Sequence, residues 1–95
     1  RAVQARPRAA DLHYDYGLVL SRQDRLDEAI GQYREALRLN AGSPDIHNNL
    51  GAALARQRRF TEAAAHFRTA LELRPDFAAA QLNLERVPRD SAEGK

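Results

Sequence analysis

A recurrence at 34 residues restricts the fold of this chain more than any other feature of it. His47, Leu50, Gly51, Leu54, Ala63, Phe67 and Ala70 are matched one period upstream by His13, Tyr16, Gly17, Leu20, Ala29, Tyr33 and Ala36. A unit of this size is a pair of helices that cannot bury its apolar face alone and must stack on its neighbours. In the leading helix of each unit the apolar positions fall at i, i+3, i+4 and i+7, one stripe of a helix surface. Gly17 and Gly51 interrupt those stripes. An interior glycine costs about 1 kcal/mol relative to alanine, so close approach of a second helix is expected there. Ala29, Ala36, Ala63 and Ala70 are the small residues expected on that second helix, with Tyr33 and Phe67 filling the space between units.

These residues resemble the signature of the tetratricopeptide repeat. The resemblance covers nearly the whole chain and departs from the family in two places. His13 and His47 stand where its first large aromatic would be, and the closing proline, present as Pro75, is Ala41 in the earlier copy. The resemblance implies an all-α, right-handed α-solenoid of helix-turn-helix repeats, acting as a scaffold for protein–protein interaction.

Along the chain, residues 1–9 are expected to close a preceding unit, since Ala2 and Pro7 lie about one period before Ala36 and Ala41. Residues 10–43 form the first unit, with helices over Ala10–Arg22 and Leu26–Leu39. Residues 44–77 form the second, with helices over Pro44–Arg56 and Phe60–Arg74; Ser43 is placed to cap its start, with Pro44 in the first helical position. A third copy begins at Asp76 but carries Glu85 at the glycine site and Pro88 at the position of Leu20 and Leu54. Residues 78–87 are therefore predicted to be a capping helix, and 88–95 a polar, disordered tail. With no initiating methionine, the sequence is expected to be a piece of a longer protein.

Composition excludes several functions. The 15 basic and 13 acidic side chains are interspersed, leaving a net charge of +2 and no basic tract, so a nucleic-acid partner is not implied. Without cysteine there is no disulfide, thiolate metal site or thiol nucleophile. No apolar run is long enough for a membrane span, and the cytoplasm is the expected compartment. No glycine-rich phosphate loop and no nucleophile motif are present, so neither cofactor nor catalysis is expected. His13 and His47 occupy a packing position and favour a core or half-buried imidazole over a metal pair; His66 is expected to be exposed on a trailing helix.

The family resemblance places the leading helices on a concave face that holds ligands. On that face a stripe runs through Asp11, Asp15, Leu18 and Arg22, then Asp45, Asn49, Ala52 and Arg56, then Ala79, Asn83 and Arg86. Its recurring element is Asp15, Asn49 and Asn83. A side-chain amide offers a donor and an acceptor, so it can pair with a peptide backbone without reading side chains. Helices about 8–10 Å apart would grip roughly every third residue of a strand rising about 3.3 Å per residue. The series resembles the asparagine ladder in the repeat domain of O-linked N-acetylglucosamine transferases. Register alone leaves two readings open, since a duplicated unit also inherits its surface residues. Family members that clamp a terminal carboxylate use first-turn lysines where this chain has Asp11, Asp45 and Ala79. The acidic rim of Asp11, Asp15 and Asp45 favours a basic or neutral segment, with Arg22, Arg56 and Arg86 available to an acidic group. Asn49 and Asn83 are expected to be replaceable by alanine with little change in melting temperature. Self-association through the apolar side of the first helix is the main rival reading. A targeting arm for an enzyme, such as a glycosyltransferase, encoded elsewhere in the parent chain is a third.

Overall fold

The computed structural model describes residues 2–88, with side chains from Ala9 onward. Five helices follow one another: α1 (Ala2–Arg22), α2 (Leu26–Leu39), α3 (Pro44–Arg56), α4 (Phe60–Leu73) and α5 (Ala78–Arg86). No strand occurs among the described residues. α1 packs on α2 and α3 on α4; α2 and α4 in turn contact α3 and α5, and α3 touches α5. This is a helical-repeat solenoid in which α1, α3 and α5 are the leading helices.

The first helix begins at Ala2 rather than Ala10, and no turn separates residues 2–9 from the first unit. Alanine, arginine and glutamine before Ala9 favour helix, against the backbone bond and the steric room that Pro7 removes in the second turn. The tail expected over 88–95 lies outside the described residues beyond Pro88.

The two intra-unit turns are copies of each other. Asp24 and Arg58 have left-handed backbone, with φ of 64° and 66°. In each turn the following amide returns to the leucine carbonyl five residues back: Arg25 N–H to Leu20 and Arg59 N–H to Leu54, both 2.9 Å. The Asp24 and Arg58 amides reach Ser21 and Ala55 at 3.0 and 2.9 Å, which completes a Schellman stop in both units. Between units, the Ile46 amide donates to Ser43 Oγ at 3.3 Å, with Pro44 at the helix start.

Gly17 and Gly51 are buried, and an added Cβ would lie 2.6 Å from Tyr33 and 2.7 Å from Phe67 respectively. Ala29, Ala36, Ala63 and Ala70 are fully buried around the same contacts. The trailing aromatic therefore lies against the leading backbone, so closely that a Cβ there would force the ring to shift. Leu20, Ile30, Ile46, Leu50 and Leu54 complete one continuous core running through both units.

Candidate functional site

The leading helices carry the predicted stripe. Asp11, Asp15, Arg22, Asp45, Arg56 and Arg86 are exposed, while Asn49 and Asn83 are half-buried. The asparagines are held by bonds that run along the wall. Asn49 Nδ2 donates to the Tyr14 hydroxyl at 2.5 Å, and Asn83 Nδ2 donates to Asn48 Oδ1 at 3.0 Å. Both pairs are 35 residues apart. Each rung thus reaches back to the residue just before the preceding rung, and each amide retains a second N–H and a carbonyl oxygen.

These bonds alter the expectation for alanine replacement. Asn48 is buried, at 7 % exposure, and accepts from Asn83. Removing Asn83 would leave that carbonyl oxygen without its donor, at a cost of about 1–3 kcal/mol. Tyr14 and Asn48 hold these amides although they lie off the stripe. Their signal in the sequence is faint: two residues with polar atoms in register, one position before the rungs. The Tyr14 hydroxyl stays protonated, its pKa raised by burial and then by the charge of Asp45, against the hydrogen bond from Asn49. Tyr33 is pushed up to about 12, mainly by burial and then by Tyr14, with Arg56 and Arg22 among the opposing influences.

The arginines divide into two kinds. Arg56 Nη1 donates to the Ser21 carbonyl at 3.1 Å and to Ser21 Oγ at 3.0 Å, and Nη2 pairs with Asp24 at 2.6 Å. Arg56 is therefore a strap between the units, and a ligand would have to compete for it. Arg22 and Arg86 enter no ion pair among the described residues. In the acidic rim, Asp45 lies 3.6 Å from Arg74, whereas Asp11 and Asp15 form no ion pair among the described residues.

The histidines pair within units and not along the wall. His66 is half-buried rather than exposed, because α4 turns it toward α3, where its Nδ1 lies 3.1 Å from His47 Nδ1. With ring centres 5.3 Å apart, the two nitrogens lie between the rings, the geometry of an N–H···N bond rather than a face stack. His47 Nε2 is 3.1 Å from the Ala41 carbonyl. A carbonyl only accepts, so Nε2 carries the His47 proton and His66 donates through Nδ1. In the first unit, His13 and Gln32 make the equivalent contact at 2.7 Å. No third metal-binding side chain joins these pairs among the described residues.

Comparison with known proteins accords with this architecture. A tetratricopeptide repeat model matches residues 44–77 and a TPR repeat model matches residues 22–58, together more than half of the chain. The chain is similar in fold to the Arabidopsis OM64 TPR domain, with a TM-score of 0.87 and 20% sequence identity over 93% of this chain and 72% of that one. No curated protein matches.

Proposed function

The chain belongs to the tetratricopeptide repeat family, whose repeats mediate protein–protein interaction, and we propose that this one grips an extended segment of a partner protein along α1, α3 and α5. The observation that carries the reading is the pair Asn49 and Asn83, half-buried and in register, each anchored by one N–H and retaining a donor and an acceptor. Anchoring fixes the amide plane in advance, which lowers the ordering cost of binding. Asp11 and Asp15 favour a basic or neutral residue at one end of the segment, and Arg22 and Arg86 an acidic one at the other. Arg56 contributes by holding the two units in place.

The test is titration calorimetry with extended peptides of this charge pattern. Asn49→Ala with Asn83→Ala should weaken binding by roughly thirtyfold, from two hydrogen bonds of about 1 kcal/mol each. Tyr14→Phe with Asn48→Ala removes only the internal partners and should weaken it less. Unchanged affinity in the asparagine pair would move the function to another surface.

A further inference from the structure

α1 carries an apolar stripe of Leu12, Tyr16 and Val19, exposed by 65%, 52% and 46%. Their counterparts one period on, Ile46, Leu50 and Ala53, are buried. The stripe also shares a pattern with the trailing helices. In α4, Glu62 precedes Ala63, Phe67 and Ala70; in α2, Glu28 precedes Ala29, Tyr33 and Ala36; in α1, Asp11 precedes Leu12, Tyr16 and Val19. In all three an acid is followed by an apolar residue, an aromatic four residues later and another apolar residue three after that.

At the other end of the stack, α4 and α5 enclose an open groove of about 510 Å³. Phe60, Ala64, Leu84 and Val87 supply its apolar lining, and Arg68 and Glu85 its charges. One period earlier the corresponding slot, between α2 and α3, is filled by α4. There Glu62 of the inserted helix lies 3.7 Å from Arg34 of α2. Arg68 is the counterpart of Arg34, so the groove offers a base where an inserted helix of this pattern carries its acid. Glu85 replaces the glycine onto which Phe67 nests in the complete unit, so an inserted helix must stand farther from α5. Leucine and valine in place of the two alanines suit that wider gap.

We propose that the groove between α4 and α5 receives α1 of a second copy, with Asp11 facing Arg68 and Tyr16 filling the apolar centre. The contact joins two different surfaces, so copies add head to tail instead of closing as a symmetric pair. It shares Asp11 with the peptide reading, but Arg68 and the groove lie off the asparagine wall, so Arg68→Glu tests this contact alone.

Sedimentation of the 95-residue chain from micromolar to millimolar concentration tests the assignment. Progressive oligomers are expected. Tyr16→Ala should weaken association more than about tenfold, as loss of a buried aromatic anchor does. Asp11→Arg and Arg68→Glu should each weaken it several-fold, and the double variant should recover, with helicity by circular dichroism unchanged throughout. A chain that stays monomeric, or a dimer indifferent to Arg68→Glu, overturns the proposal. Failure of the double variant to recover overturns the register.

Discussion

Single atoms decide the closeness of each helix pair. At Gly51 an added Cβ would meet Phe67 at 2.7 Å and the Ala63 carbonyl at 3.1 Å; at Gly17 the nearest atoms all belong to the Tyr33 ring. A side chain can yield more readily than backbone. Gly51→Ala should therefore lose on the order of 1–3 kcal/mol in urea unfolding despite the better helix propensity of alanine, and Gly17→Ala should lose less. The histidine pair acts on a different variable. Burial, then His47, then Arg34 hold the His66 pKa below 6.5, with Glu62 opposing. The unfolded chain then binds the proton more readily than the folded one. The contribution of His66 is intact above about pH 6.5 and is lost as pH falls below it. His66→Gln reproduces the His13–Gln32 contact of the first unit, so the fall in melting temperature between pH 7.5 and pH 5.5 should be smaller in that variant.

At the level of elements, the helices owe their ends to turn chemistry more than to side-chain caps. Neither α2 nor α4 has a side-chain N-cap bond, whereas α3 has Ser43. The Schellman stops after α1 and α3 place Asp24 and Arg58 in left-handed backbone, a conformation that costs a non-glycine residue roughly 1–2 kcal/mol. Asp24 is also paired with Arg56, but Arg58 makes no ion pair among the described residues. Arg58→Gly should consequently raise stability by about 0.5–1 kcal/mol, part of the relief being offset by the greater freedom of glycine when unfolded. A higher midpoint in urea with an unchanged slope is the expected result.

Across the whole molecule, stability is a sum of unit terms and neighbour terms, as in other stacked repeats. The neighbour term here combines the apolar contact of α2 and α3 with two straps from the end of α3 to the first turn and the start of α2, Arg56 to Asp24 and Gln57 Nε2 to Asp27 at 2.6 Å. Ile46 is 3% exposed and sits in the continuous core. Ile46→Ala should cost about 2–5 kcal/mol and uncouple the units. Hydrogen exchange would register this as amides in α4 losing protection before those in α2. A uniform loss across all helices would instead show that the two units open as one.

The helix pairing and the glycine-to-aromatic contacts followed from the period, because apolar spacing and small residues fix which face of a helix is buried and how near a neighbour can come. The positions of Asn49 and Asn83 on the leading helices followed likewise. What held those side chains did not. Tyr14 with Asn49, Asn48 with Asn83 and Ser21 with Arg56 join residues 35 apart, and His47 with His66 joins residues 19 apart. Such partners depend on the rotation of one helix against the next, which the repeat length leaves free and side-chain packing sets. That rotation made Arg56 a strap and turned His66 inward.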